Sequence, residues 1–456
     1  MITTSTPAWD ELRSGVQAGV LAGAADHFAR LSWNSDQIQA AQRGGLAKLL
    51  AHAAEHSPFH ARRLRGIDIG AIDPDDLSAI PVMTKADMMD ALDAVFTDRR
   101  LRRADIETAL ARTRAEPVPL LRGYIALASG GCSGTRGIFV LDQAALTSFA
   151  TAIARPPASA PQPPQPGALG AMVAAPSAVH ATGMATAMTV GDSSFGRYRL
   201  VPATRPLPAI VEELNALCPA VLSGYASMLV RLAVEACAGR LKIQPVQVSS
   251  TSETLLPEMR SAIRKAFGVP VFDAFACTEG LVGKSGPDDD IFAFNTDMCI
   301  VELVDADNRP SPIGVPAAKV LVTNLYNLAQ PLIRYELTDT FVRLADAPGH
   351  GHLRARVQGR NDEIFYYPDG AAVHPVVIRS VIVGTPQIID YQVAQTPHGI
   401  DVSAIAAADF AVDDFTSRLT RALAAAGLNH PNVTARAVDQ LDRNTVSGKF
   451  RRFVPL

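Results

Sequence analysis

Five short stretches of this chain hold residue types suited to phosphate, metal and sugar chemistry. The first is Ser129-Gly130-Gly131-Cys132-Ser133-Gly134. Its glycines let backbone N–H groups approach phosphate oxygens with no Cβ in the way, and its hydroxyls add donors. The second, Cys277-Thr278-Glu279-Gly280, follows a strand-like apolar run. A threonine hydroxyl and a carboxylate at a strand's end can hold a phosphate and its Mg2+. The third, residues 335–339 (YELTD), ends on Asp339. A carboxylate has two oxygens and can accept from both hydroxyls of a ribose. In the fourth, Gly359-Arg360-Asn361-Asp362, Arg360 can bond ribose or phosphate and Asp362 can act as a hinge. The fifth, Ser447-Gly448-Lys449, sits in a polar segment close to the C-terminus. A lysine on a mobile arm there can place a compact cation where negative charge develops.

Each stretch alone has a plain reading too. The first fits an ordinary hairpin, the second a helix N-cap with Glu279 in the first turn, the third a turn aspartate. The fourth fits a polar turn and the last a basic tail. The first is not a Walker loop, because the strand-like Ile138-Phe139-Val140-Leu141 follows it instead of a helix. Taken in order, the five imply ATP held by its phosphates and ribose, with a lysine brought to the reacting phosphorus. The chemistry that follows is activation of a carboxylate as an acyl adenylate. In that reaction a carboxylate attacks the α-phosphorus and pyrophosphate leaves, so positioning and charge stabilisation dominate.

Elements must hold these groups in place. Strand-like runs at 168–174, 246–250, 269–272 and 319–325 alternate with helical runs at 208–216, 228–238 and 256–267. Such alternation predicts an α/β fold with mostly parallel sheets in a large N-terminal part of several subdomains. Residues 36–66 read as helical, with a break at Ser57-Pro58, and Thr84 with Asp87 predicts a capping box opening a second helix. The Pro-rich residues 155–167 read as a surface loop or a linker between units. Residues 413–426 read as a helix closed by Gly427. A boundary at Asn361-Asp362 gives an N-terminal domain, 1–361, for ATP and acyl binding. The second domain, 362–456, would be a small mobile α+β unit carrying Lys449.

Bulk properties bound the reading. The chain has 456 residues, 48% of them hydrophobic, enough for two or three packed units. A net charge of −3 gives no basic excess for nucleic acid or an anionic membrane. The five cysteines are scattered with no C-x-x-C pair, which fits reduced thiols in a cytosol. The first residues lack a cationic segment followed by an apolar run, so no secretory signal is expected. Residues 167–190 carry no full charge, but Pro176, His180 and many small residues fit a buried strand and loop better than a membrane span.

The ordered series resembles the adenylate-forming superfamily of acyl-CoA synthetases, adenylation domains and luciferases. Within it the chain is most similar to the phenylacetate–coenzyme A ligase family. The likeness lies in His56-Ser57-Pro58-Phe59-His60, in Ile80-Pro81-Val82-Met83-Thr84-Lys85-Ala86-Asp87 and in Ser223-Gly224-Tyr225. The resemblance implies that residues 129–134 wrap the β- and γ-phosphates. Ser252, Glu253, Phe275 and Ala276 would surround adenine. Thr278 would touch phosphate, Glu279 hold Mg2+, and Asp339 and Arg360 hold ribose. Asp362 would be the hinge and Lys449 the bridge between acyl carboxylate and ATP. His180 and Tyr225 would border the acyl pocket, His180 having a satisfied core histidine as its alternative reading. Coenzyme A as acceptor, a cytoplasmic setting and homodimer formation are also among what it implies. The chain departs from the family pattern at four places, one of them Asn361-Asp362-Glu363 for the usual Asp-Asp after the hinge arginine, which keeps the hinge carboxylate. Thr135-Arg136 stands where the phosphate loop usually has lysine. Thr338 stands where glycine usually precedes the ribose aspartate. Residues 368–375 (PDGAAVHP) replace the usual glycine-rich loop, which leaves amines and carrier-protein thiols as alternative acceptors. A non-catalytic nucleotide-binding relative is the remaining reading.

Overall fold

The structure is a computed structural model that describes residues 7–129, 136–157, 168–189, 197–360, 363–445 and 447–456. The chain divides into two compact units, Met1–Gln358 and Gly359–Leu456.

The first unit is α/β. Its strands are β1 (Tyr124–Ala128), β2 (Ile138–Asp142), β3 (Leu169–Ala174), β4 (Arg197–Pro202), β5 (Val221–Gly224), β6 (Gln247–Thr251) and β7 (Val271–Ala276). They continue as β8 (Val282–Ser285), β9 (Ile291–Phe294), β10 (Cys299–Val304), β11 (Lys319–Asn324), β12 (Tyr335–Leu337), β13 (Asp339–Arg343) and β14 (Arg354–Arg360), whose last two residues fall in the second unit. Among the described residues one nine-stranded sheet runs β13-β14-β9-β8-β7-β6-β5-β3-β4. The block β4, β3, β5, β6 and β7 is parallel, as the alternation of apolar strands and amphipathic helices predicts. Gly224 of β5 pairs with Ser250 of β6, and Ser250 with Asp273 of β7, so their carboxyl ends share one edge. Helices Leu207–Leu217, Ala226–Cys237 and Pro257–Phe267 connect these strands, and their apolar faces form one buried core with Val173, Leu222, Val248 and Val271. Two smaller sheets, β1-β2 and β10-β11-β12, complete the unit.

Several expectations hold in detail. The helix Ser35–His56 ends at Ser57, and Pro58 opens the short helix Pro58–Arg63. Thr84 and Asp87 form the expected capping box. Residues 169–174 form the buried strand β3, and no described helix is long and apolar enough to cross a membrane.

The Pro-rich stretch is a correction. It does not link the two units, since both of its flanks lie in the first. Its first residue, Arg155, is only 1% exposed, and its guanidinium donates to both oxygens of Asp297 at 2.7 Å, whereas Pro156 is exposed. The pair belongs to a buried cluster with His27, Arg30 and His352 around it. Leaving one charge of such a pair unmatched costs about 3–5 kcal/mol, so this junction is fixed. Residues 158–167 lie outside the described residues. The helix Pro7–Ala29, which carries His27, was not foreseen; it buries Trp9, Leu12, Val16 and Val20 against residues 143–154.

The second unit is α+β. Strands Ile388–Thr396 and Gly399–Ala406 form an antiparallel pair flanked by Asn432–Ala437 and Phe453–Val454. The helix Val412–Ala425 lays Phe415, Leu419 and Leu423 on this sheet, and Gly427 follows at φ 97°. That φ is left-handed, which glycine adopts without a Cβ penalty.

Candidate active site

The parallel block places four loops at the carboxyl edge of the sheet, where open α/β folds bind ligands. After β3 the chain turns through residues 175–180 into the helix Ala181–Ala187, with half-buried His180 at its N-cap. After β5 comes Tyr225, fully buried, whose hydroxyl accepts from the Ala175 N–H at 2.8 Å. Burial pushes that phenol up to about 12, so it stays protonated. After β6, Ser252 sits at φ 67° and Glu253 accepts from the Ser227 N–H at 3.0 Å. A carboxylate at the first turn of the helix Ala226–Cys237 meets free N–H groups and the positive end of the dipole. Glu253 thus ties the loop expected around adenine to the helix that starts at Tyr225.

After β7 comes residues 277–281, a turn that runs directly into β8. No helix follows, so the N-cap reading of Thr278 is excluded. The Thr278 hydroxyl donates to Glu279 Oε2 at 3.2 Å, and Glu279 is 8% exposed. Gly280 adopts φ +105°, and a Cβ there would lie 2.1 Å from Asn324 Nδ2. Only glycine fits that position. Burial, with the Glu279 and Asp339 carboxylates close by, pushes the Cys277 thiol well up. Asp339 opens β13, and two residues on, the Phe341 ring packs edge-on against Phe275 at 5.4 Å. That contact binds the Asp339 strand to the end of β7. Tyr335 is 1% exposed, and its hydroxyl has no hydrogen-bond partner among the described residues. Burial and the nearby Glu279 charge push this phenol up as well.

The hairpin β1–β2 presents Ser129 at its mouth. The Ser129 N–H donates to Gly137 O at 3.0 Å, and the Gly137 N–H donates to Ser129 Oγ at 2.9 Å. The Ala128 N–H donates to Val179 O at 2.9 Å, so the hairpin mouth adjoins the loop that holds His180. The remaining loop residues expected here, Gly130, Gly131, Cys132, Ser133 and Gly134, lie outside the described residues.

One unit therefore gathers Ser129, His180, Tyr225, Ser252, Glu253, Phe275, Ala276, Thr278, Glu279 and Asp339. The other sequence-predicted residues fall in the second unit. Arg360 ends β14, and Asp362 lies outside the described residues. Lys449 is half-buried. Backbone and side-chain bonds link the described residues on either side of position 446. The Asn444 N–H donates to Lys449 O, the Gly448 N–H to Asn444 O, and the Ser447 N–H to Asn444 Oδ1.

A magnesium ion prefers oxygen ligands and keeps one or two carboxylates beside substrate phosphates. Among the described residues no three His, Cys, Asp or Glu side chains converge to cage a metal. Glu279, with the Thr278 hydroxyl against its Oε2, is a hard oxygen donor of the required kind, so the residues fit an ion that arrives with a nucleotide.

The opening signature acts at a distance. His60 Nε2 bonds Pro331 O at 2.9 Å, and Met83 lies opposite Tyr335, its N–H donating to Arg334 O and its O accepting from the Glu336 N–H, both at 2.9 Å. These contacts position the segment that leads into β12. Sequence reading missed Asn324, Tyr326, Asn327 and Gln330, all on that segment. The signal was these four, with Thr323 beside them, as polar, hydrogen-bonding side chains inside an otherwise apolar stretch, residues 320–333.

No family model matches the chain. A curated relative, Protein CapK of Staphylococcus aureus, is 23% identical over 178 residues, 38% of this chain and 38% of that one. The match thus spans well under half of the relative's length. Among solved structures, 2-hydroxyisobutyryl-CoA ligase in the postadenylation state superposes with TM-score 0.69 at 18% identity, over 94% of this chain and 91% of the other. A benzoate CoA ligase from Burkholderia xenovorans gives TM-score 0.51 at 18% identity, over 72% and 67%. The chain has the fold of the adenylate-forming ligases.

Proposed function

We propose that this chain uses ATP to activate a carboxylic acid, aryl or small acyl, as an acyl adenylate, and then passes the acyl group to coenzyme A. The observation that carries the reading is the convergence of Thr278, Glu279, Asp339 and the mouth of the Ser129 hairpin at the carboxyl edge of the sheet. The solved neighbours include a ligase bound to an acyl-AMP. In the first half-reaction an acid oxygen bonds the α-phosphorus while the bond to the bridging oxygen breaks, and pyrophosphate leaves.

The residues divide the work. The hairpin loop would hold the β- and γ-phosphates, and Asp339 and Arg360 the ribose. Glu279 would hold Mg2+, which offsets charge on the leaving pyrophosphate. Ser252, Glu253, Phe275 and Ala276 would surround adenine, with His180 and Tyr225 beside the acyl group. Lys449 would place its cation between carboxylate and phosphate, delivered by the second unit turning about Asp362. Free thiols at Cys218, Cys237, Cys277 and Cys299 support a cytoplasmic setting.

A second acceptor class has its own support. Residues 367–371 close a tight turn, with the Tyr367 N–H donating to Ala371 O at 2.9 Å and Gly370 at φ 87°. This turn stands where the family carries the glycine-rich pantetheine loop, so an amine or a carrier-protein thiol is the alternative to coenzyme A. The test is a panel of aryl and small acids, each with ATP and Mg2+, given coenzyme A or simple amines. Thioester formation supports the first reading and amide formation the second. Consumption of ATP by no acid at all would leave only a nucleotide-binding role.

A further inference from the structure

The two parts of the phosphate site come from distant stretches of chain, residues 129–137 and 277–281. A row of buried amides runs between them. At one end Asn324 Nδ2 donates to Glu279 O at 3.0 Å, and the Tyr326 hydroxyl donates to Gly280 O at 2.8 Å. Asn324 Oδ1 then accepts from the N–H groups of Tyr326 and Asn327, both at 3.0 Å. Asn327 Oδ1 accepts from the Gln330 N–H at 3.3 Å, and its Nδ2 donates to Val140 O at 3.0 Å. At the far end Gln330 Oε1 accepts from the Val140 N–H at 2.6 Å, and Nε2 donates to Ile138 O at 2.9 Å. Asn324, Asn327 and Gln330 are 2%, 4% and 0% exposed.

The row has a specific chemical logic. Among the described residues strand β2 pairs with β1 on one side only, in a sheet of two strands. Its other edge carries backbone groups that a buried position must satisfy. Gln330 and Asn327 satisfy three of them with side-chain amides, in place of a neighbouring strand. A glutamine carboxamide has a donor and an acceptor like a peptide group, so it can stand in for one. The segment is pinned as well: the Thr97 N–H and hydroxyl bond Ala329 O and Leu328 O, and His60 holds Pro331 O.

We propose that Asn324, Tyr326, Asn327 and Gln330 are positioning residues: a polar strut that keeps the phosphate-loop hairpin in register with the Thr278–Glu279 turn. The proposal rests on the adenylation reading for its kinetic consequence, but not for its physical one. ATP must touch both ends of the strut, whereas an acyl adenylate has lost its β- and γ-phosphates. Slackening the strut should therefore harm the first half-reaction and spare the second. A misplacement of about 1 Å can cost about 10²-fold in rate.

Two variants test this. Gln330→Met keeps the volume and removes both bonds to β2; Tyr326→Phe removes one hydroxyl and is the milder change. Expected for Gln330→Met is a rise of about tenfold or more in the KM for MgATP. Turnover of supplied acyl adenylate should change less than about twofold. Tyr326→Phe should give the same pattern, smaller. Equal losses in both half-reactions would overturn the strut and leave a plain packing role. Hydrogen–deuterium exchange supplies a readout independent of activity. Gln330→Met should speed exchange at residues 277–281, at the opposite end, as well as in β2; acceleration in β2 alone would overturn the proposal. A wild-type chain that forms no adenylate would count against the proposed function, and the exchange data would still decide the strut.

Discussion

The Glu279 turn and the Lys449 turn both close on local backbone bonds, yet the first is also held from far away in sequence. Residues 277–281 are held by side chains far away in sequence: Asn324 and Tyr326 fix the Glu279 and Gly280 carbonyls. Residues 444–449 close on themselves, through bonds that span five residues or fewer. The tail beyond is anchored separately, where Phe453 pairs with Val393 and Arg452 lies over the Tyr391 ring at 4.3 Å. Changing the Lys449 side chain leaves these backbone bonds in place. Changing the 277–281 turn disturbs chemistry and architecture together.

The largest expected effect is that of Lys449→Ala. Adenylate formation should fall by about 10²–10³-fold, the usual scale for one lost charge-stabilising contact. Consumption of a supplied adenylate should barely move. A parallel loss in both steps, read by single-turnover assays, would contradict the separation. Glu279→Gln should lose adenylation on a similar scale, with a raised requirement for Mg2+. An unchanged magnesium dependence would remove Glu279 from the metal.

Gly280→Ala sharpens the comparison. Its φ of +105° and the 2.1 Å approach to Asn324 predict about 1–3 kcal/mol of destabilisation, visible in chemical denaturation. Gly448→Ala, at φ 70°, should carry the left-handed backbone cost of about 1–2 kcal/mol. A Gly280→Ala chain as stable as the wild type would contradict the close approach to Asn324.

The last test is a pH dependence. Burial, and then the Arg63 guanidinium, hold the His60 imidazole down to about 3, against about 6.5 in an unfolded chain. A folded value below the unfolded one means that the unfolded chain takes up the proton first. Stability is then complete above about pH 6.5 and falls as pH drops from there towards 3, by at most about 1.4 kcal/mol per unit. His60→Gln should flatten that slope in melting curves; an unaltered slope would assign it to other groups.

Much of this was legible in the chain. The parallel block followed from apolar runs alternating with amphipathic ones, and Thr84 with Asp87 named its own cap. The phosphate, metal and ribose candidates were visible because glycine, hydroxyl and carboxylate clusters are rare next to strand-like runs. Contacts across long separations were not. Nothing in the local pattern around Arg155 announces a partner 142 residues away in Asp297. The amides at 324, 327 and 330 look like loop polarity until β2 is seen to need them. The helix Pro7–Ala29 did leave a trace, since Trp9, Leu12, Val16 and Val20 recur at helical spacing.

Exchange of labelled pyrophosphate into ATP tests the central claim most directly, because it needs neither the acceptor nor the second half-reaction. With Mg2+ and a suitable carboxylic acid, the wild-type chain should catalyse it without coenzyme A, and Lys449→Ala should suppress it. No acid-dependent exchange across a broad acid panel, from protein shown to be folded, would contradict the claim.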